Sequence, residues 1–385
     1  MKIEKVVYLT QTPFTKRDAE RFGVNIFKHY NLDVVVLDVT PYLDKHVSKN
    51  YVLNENESFD YVVELGDYDQ IKEFILQTSQ NTIFISFIGE SSIKALKLLD
   101  LLFKYEKIFG IIFSGSLPQS SRNSILTRLK LLTPKSILRI VCKAIYMVLI
   151  KKYCFSFVIV SGKKSLTYTE KKYSQSRIVY GHAFDYDLYL ETQLKSTKKS
   201  TKKKYALFLD EFFPFHPDYM RQGIDYSGFA DSYYNKLNRL FEYIEKSFEL
   251  EIIIAAHPRS YYDRLPNYWN SREYKMGNTI ELVKDAQLCI THASTSINFA
   301  VLYNKPIVSV SMNEIKETNV QHLLKTMHEE LDTTYVNLDD DVLKFNNVHI
   351  NKEKYDRYKK NYIKLPDTED LNNWKILYKY YTTKA

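Results

Sequence analysis

Residues 252–262 read IIIAAHPRSYY, and the first five of them decide the fold. Ile252, Ile253, Ile254, Ala255 and Ala256 are apolar without alternation, the mark of a strand covered on both faces, as in a parallel sheet. Pro258 cannot donate to a sheet ladder and holds His257 extended, so the strand stops there. The chain therefore presents His257, Pro258 and Arg259 at the carboxyl end of a core strand. Open α/β sheets bind ligands at that edge.

The same rhythm runs outward in both directions. YALFLD (205–210), AQLCIT (286–291) and PIVSVS (306–311) read as further strands. Between them a helix is expected over 231–247, with Tyr234, Leu237, Leu240, Phe241 and Ile244 on one face, a short one near 279–284, and another from Ser294 to Leu302. Towards the amino terminus, strands are expected at 5–10, 32–39, 60–65, 82–88, 108–113 and 155–160. Helices alternate with them: Thr15 and Asp18 can cap one reaching about His29, and others fall at 67–78 and 91–104. Alternating strands and helices predict parallel sheets with helices on both faces. The lysine-rich tract KSTKKSTKKK (195–204) separates the two series and reads as a solvated linker; a nucleic-acid-binding tail would interleave aromatics, which it lacks. The expected fold is α/β and GT-B-like, with two Rossmann-like domains whose parallel sheets face a central cleft. The domains would be 1–194 and 205–365, with a helix over 366–385 packing back on the first.

The 385 residues suffice for two full cores, and 45% apolar with 26% charged residues is ordinary for a globular chain. Cys142, Cys154 and Cys289 lie apart in apolar segments, which predicts buried reduced thiols and a cytoplasmic compartment. The opening MKIEKVVYLT is too polar for a signal peptide. No GxGxxG or Walker pattern occurs, which disfavours dinucleotide oxidoreductases and P-loop NTPases. The net charge of +8 is unevenly spread. Residues 122–153 hold eight Lys or Arg and no acid, with Leu, Ile and Val between them. Pro134 and the repeated charges argue against a spanning helix. An amphipathic segment lying on an anionic membrane surface is expected, against the plainer reading of a core helix with a basic face.

Three strand ends of the second half carry polar groups. Asp210 and Glu211 follow YALFLD, His257-Pro258-Arg259 follow EIIIAA, and His292, Ser294, Thr295 and Ser296 follow AQLCIT. The last group opens a helix, where hydroxyls and unpaired N–H groups suit phosphate, although a single Ser or Thr there would serve as a cap. His257 can donate to a leaving oxygen, and Arg259 adds charge. Asp210 or Glu211 can act as general base if burial or its neighbour raises its pKa; Asp218, Asp225 and Asp231 could take the same role. A second pair, His216-Pro217, lies in EFFPFHPDY, whose prolines read as a loop. Asp67-Tyr68-Asp69 and Asp185-Tyr186-Asp187 are DxD patterns, but the first precedes a helix, where acids favour the first turn. Asp339-Asp340-Asp341 likewise reads as a helix start. No metal and no cofactor are expected.

The His-Pro pair, the acidic pair after the first strand of the second domain and the Ser/Thr cluster together resemble bacterial sialyltransferases of GT-B type. The match covers mainly residues 205–311. The resemblance implies a nucleotide-sugar-binding domain over 205–365 and an acceptor-side domain over 1–194. It also implies that His257 contacts the donor phosphate, Ser294 and Ser296 bind it, Glu281 reaches the ribose, and Asp210 or Glu211 is the base. Phe212 stands where that family has a glycine. The segment THASTSINFAVLYNKPIV is also similar to teichoic-acid polyol-phosphate transferases, which use CDP-glycerol or CDP-ribitol. The expected function is an inverting, metal-independent glycosyltransferase of bacterial surface-glycan assembly. It would transfer a CMP-activated acidic sugar (sialic or another nonulosonic acid, or Kdo) to a glycan or lipid-linked glycan at the inner membrane face, with no nucleic-acid partner. Polyol-phosphate transfer from a CDP donor, sugar epimerisation and non-catalytic nucleotide or glycan binding are the alternatives.

Overall fold

The computed structural model describes residues 2–50, 58–89, 92–113, 117–118, 141, 154–195, 204–216, 225–315 and 319–383. The chain forms two compact units. The first takes the residues up to Phe184, apart from Leu117–Ser121, together with Lys364–Ala385; the second takes Asp185–Ile363 and Leu117–Ser121.

The first unit is built on β1 (Lys5–Thr10), β2 (Asp33–Asp38), β3 (Val62–Glu64), β4 (Thr82–Ser86), β5 (Ile108–Phe113), β6 (Phe157–Val160) and β7 (Ile178–Tyr180). Their order is β3-β2-β1-β4-β5-β6-β7, and every pairing is parallel. The second unit repeats the scheme with β8 (Tyr205–Leu209), β9 (Glu251–Ala256), β10 (Glu273–Met276), β11 (Leu288–Thr291), β12 (Ile307–Ser311) and β13 (Thr334–Asn337). There the order is β10-β9-β8-β11-β12-β13, again all parallel. Both units are Rossmann-like and the chain is of the GT-B-like α/β class. In each sheet the winding reverses beside the unit's first strand, which creates a switch point between β1 and β4 and another between β8 and β11.

Burial follows from this layering. β4, β6, β8, β11 and β12 are buried along their whole length, as strands covered by helices on both faces must be. The helix Ala230–Phe248 lays Tyr233, Tyr234, Leu237, Leu240, Phe241 and Ile244 on the second sheet. Thr15 and Asp18 form the expected capping box, but the helix they start is interrupted. Gly23 is left-handed (φ 63°), and a Cβ there would meet the Trp374 ring at 2.2 Å, so the chain breaks into Lys16–Arg21 and Val24–His29. Trp374 belongs to the helix Asn373–Thr382, which returns to the first unit and buries Trp374 and Leu377 in its core. The Trp374 indole donates to the Arg21 carbonyl at 2.7 Å.

Several expectations are corrected. Asp339 does not start a helix: it sits in the loop after β13, bridges Lys236 at 2.6 Å and accepts the Asn313 N–H. Cys154 is exposed, its Sγ donating to the Gln175 carbonyl at 2.7 Å, whereas Cys289 is buried and free. The chain passes between units at Phe184–Asp185, inside the helix Phe184–Leu194, ahead of the lysine-rich tract. Residues 196–203 of that tract, and the basic segment 122–153 apart from Val141, lie outside the described residues. No helix among the described residues is long and apolar enough to cross a membrane.

Candidate functional site at the second switch point

The register of the second sheet sets the site. Leu209 lies opposite Ala255 on one side and Thr291 on the other, so β8 and β11 end level and β9 runs one residue further. At the next level Asp210, Ala256 (the last residue of β9) and His292 therefore stand side by side at the edge where the winding reverses.

Asp210 and Glu211 tie these ends together. Asp210 is buried, its Oδ2 accepting the His257 N–H at 3.1 Å and the Tyr262 hydroxyl at 2.8 Å, and its Oδ1 the Phe212 N–H at 2.8 Å. Burial pushes its pKa up to about 6 even though all three donors favour the charged form. Glu211 turns to the opposite side and accepts the Ala293 N–H, while its Oε1 is sealed from solvent without a hydrogen-bond partner. Burial, with the Asp210 charge beside it, pushes the Glu211 carboxyl up to about 8. One carboxylate thus binds the end of β9 and its neighbour the end of β11. The pair separates by environment: Asp210 has its acceptors engaged, and Glu211 keeps one oxygen unengaged.

Phe212 continues this turn with a left-handed backbone, φ 54° and ψ 38°. That conformation favours glycine, and Phe212 holds it because its ring is fully buried against Phe215, Tyr261 and Tyr262. A short 3₁₀ turn, Phe213–Phe215, follows and delivers His216 to the neighbourhood of His257, with ring centroids 4.9 Å apart.

His257 heads a tight turn of its own. Its carbonyl accepts the Ser260 N–H at 2.9 Å, and its Nδ1 accepts the Arg259 N–H at 3.2 Å, which places the proton of the neutral ring on Nε2. Pro258 and Arg259 are exposed, whereas Ser260 is buried and its hydroxyl has no hydrogen-bond partner. His292 behaves differently from the expectation of a phosphate contact. Its ring turns into the core, between Phe208, Phe213 and Tyr233, because both nitrogens find buried partners there. Nδ1 lies 2.7 Å from the Val310 carbonyl, which can only accept, so Nδ1 carries the proton and Nε2 takes the Tyr233 hydroxyl at 2.9 Å. Burial drives its pKa down to about 4 and keeps it neutral.

The serine cluster forms a turn rather than the expected first helical turn. The helix begins at Ile297, and Ser294 Oγ accepts the Ser296 N–H at 3.3 Å. Ser294 and Ser296 are half-buried and Thr295 is exposed, and the Ser296 side chain makes no cap. Behind them Asn298 is buried, its Nδ2 donating to Asp185 Oδ2 at 2.8 Å and its Oδ1 accepting the Tyr358 hydroxyl at 3.0 Å. Asp185, the head of the second DxD pattern, is therefore a buried partner of this helix. Asp67 of the first caps the helix Tyr68–Gln77 as expected. Glu281 lies in the first turn of the helix Thr279–Asp285 and is half-buried. Of the other carboxylates, Asp225 is exposed and holds the Ser227 N–H, Asp231 is exposed and bonded to Tyr268, and Asp218 lies outside the described residues.

His216 stands in the sequence as the lesser of two His-Pro pairs, read as part of a loop, and nothing there points to Tyr262, Tyr233 or Asn298. Those three are placed by contacts between distant segments.

No family model matches the chain, and no curated protein matches it. Among solved structures, the S. aureus MnaA–UDP co-structure is 13% identical, with 100% of this chain and 98% of that one covered at a TM-score of 0.48. A putative UDP-N-acetylglucosamine 2-epimerase from Listeria monocytogenes is 12% identical, with coverage of 100% and 98% and a TM-score of 0.48. The calicheamicin glycosyltransferase CalG4 is 11% identical, with coverage of 93% and 94% and a TM-score of 0.43. The fold assignment stands on the two parallel sheets themselves.

Proposed function

We propose that the chain is an inverting glycosyltransferase that uses a nucleotide-activated sugar, with a CMP-linked acidic sugar as donor and a glycan or lipid-linked glycan as acceptor. The observation that carries this reading is the adjacent carboxyl pair bonded to both flanking strand ends, Asp210 to His257 and Glu211 to Ala293. That arrangement is at a switch point, where doubly wound sheets take nucleotides.

The roles follow from the environments. Glu211, raised by burial and with Oε1 unengaged, is the general base: a carboxylate of high proton affinity takes the acceptor hydroxyl's proton as oxygen attacks the anomeric carbon. The bond from that carbon to the donor phosphate breaks, and the electron pair leaves with the phosphate. His257 donates from Nε2 to the departing phosphate, and the Ser294 and Ser296 hydroxyls with Arg259 hold it. Asp210 is a positioning residue that fixes the His257 backbone. Glu281 reaches the ribose, by the resemblance to the sialyltransferases. The basic segment 122–153 supports docking at an anionic membrane surface, where a lipid-linked acceptor would lie.

A panel of donors tests the reading. Incubation with CMP-sialic acid, CMP-Kdo, CDP-glycerol and UDP-N-acetylglucosamine, followed by nucleotide release, is expected to give CMP from a CMP-sugar. Turnover of CDP-glycerol alone would replace sugar transfer by polyol-phosphate transfer. Thermal stabilisation by UDP or GDP and not by CMP or CDP would sink the cytidine donor. Nucleotide binding without turnover, unchanged by His257→Ala and Glu211→Ala, would make the protein a binding module.

A further inference from the structure

His216 and His257, each followed by proline in the sequence, stand 41 positions apart in the chain, yet their imidazoles meet with centroids 4.9 Å apart and planes at 66°. The encounter is built rather than incidental. Asp210 Oδ1 receives the Phe212 N–H, Phe212 turns left-handed, and the 3₁₀ turn Phe213–Phe215 reverses the chain so that His216 returns to the strand ends. The other oxygen of the same carboxylate holds the His257 N–H. A single side chain, Asp210, thus organises both loops that carry the pair, and both rings are half-buried.

The chemistry of the pair favours an oxyanion. The Arg259 N–H occupies His257 Nδ1, so Nε2 is the nitrogen that donates, and the His216 imidazole brings a second ring to the same edge. A transition metal needs more donors than two rings supply, and among the described residues no three His, Cys, Asp or Glu side chains converge on a point.

We infer that His216 joins His257 in gripping one phosphoryl group, so that the donor phosphate is held by two imidazoles rather than one. The inference rests on the reading of this edge as the nucleotide site and adds a binding residue to it.

The test is titration of the full chain, labelled with ¹⁵N-histidine, with CMP, UDP and inorganic pyrophosphate, alongside calorimetry of CMP and cytidine. The ring resonances of His216 and His257 are expected to move together along one binding curve. His216→Ala is expected to weaken CMP binding about tenfold, the size of a lost hydrogen bond to a charged group, with cytidine binding unchanged. His216→Gln, which keeps an N–H near the Nε2 position, is expected to recover part of the loss. Movement of His257 alone, or CMP affinity in a folded His216→Ala within twofold of the parent, overturns the pair and leaves the site reading standing. If neither ring responds to any of the three phosphates, the site reading falls and the pair with it. Should His216→Ala fail to fold, the parent titration still decides. Binding of Zn²⁺ by the pair, with no response to phosphate, also overturns it.

Discussion

The Tyr262 hydroxyl donates to Asp210 Oδ2 at 2.8 Å, next to the His257 N–H that reaches the same oxygen. Asp210→Asn puts an amide donor against at least one of these donors, and the mismatch of buried donors is expected to cost about 1–3 kcal/mol. Tyr262→Phe removes one donor only and is expected to cost about 1 kcal/mol. Urea unfolding of the two variants checks the order. Equal stability of Asp210→Asn and the parent would mean that Asp210 does not organise the strand ends.

Stability should respond to pH with a sign set by three groups, the buried Asp210 and His292 and the half-buried Glu211, whose Oε1 is sealed from solvent. Asp210 and Glu211 are raised above their ordinary values, to about 6 and about 8, so their contribution is fully present below pH 4 and is lost as pH rises through those values. His292 is depressed to about 4, so its contribution is present above about pH 6.5 and is lost as pH falls towards 4. The Asp210 and His292 trends oppose each other between about pH 4 and 6, and from about pH 6.5 to 8 Glu211 is the one of the three still titrating. Melting temperature is therefore expected to fall across that upper window in the parent and to flatten in Glu211→Gln. An unchanged slope in the variant would contradict a raised Glu211.

The same group sets the expected rate profile. With Glu211 as base, transfer rises with pH until its carboxyl is ionised, around pH 8. Glu211→Gln should lower the rate about 10²–10⁴-fold while donor affinity holds. A rate that survives in Glu211→Gln moves the base elsewhere.

Phe212 separates backbone strain from packing. Phe212→Ala loses the buried ring and is expected to cost about 3–5 kcal/mol. Phe212→Gly loses the same ring but relieves the left-handed backbone, so it should be more stable than the alanine variant by about 1 kcal/mol. Ordinarily alanine in place of glycine stabilises; here the ranking should reverse, and urea midpoints of the pair decide it.

Asn298 joins Asp185 and Tyr358 behind the serine turn. Asn298→Ala removes both bonds at a buried site and is expected to cost about 2–3 kcal/mol. Asn298→Asp, which sets a second carboxylate against Asp185, should be worse above neutral pH than at pH 4. Thermal melts at the two pH values test this.

Most of the sheet was legible in the sequence because its central strands are apolar on both faces and need no long-range knowledge to be seen. The strands that escaped notice, β7, β10 and β13, all lie at sheet edges, where three or four residues alternate with exposed positions and the apolar signal disappears. At the site, His257 and the acidic pair were visible because polar residues interrupt buried strands at one level. His292 looked equivalent to them, since nothing in THAS says that its ring turns inward; that choice is made by Tyr233 and Val310, remote in the chain. The division of labour between Asp210 and Glu211 was illegible for the same reason, being set by Tyr262 and Ala293.

The left-handed turn at Phe212 has a consequence for how such sites are recognised. The sialyltransferases that the sequence resembles have glycine after the acidic pair, and this chain has Phe212 there. In this chain the position takes a left-handed torsion, and a ring wedged among aromatic neighbours holds it there without a glycine.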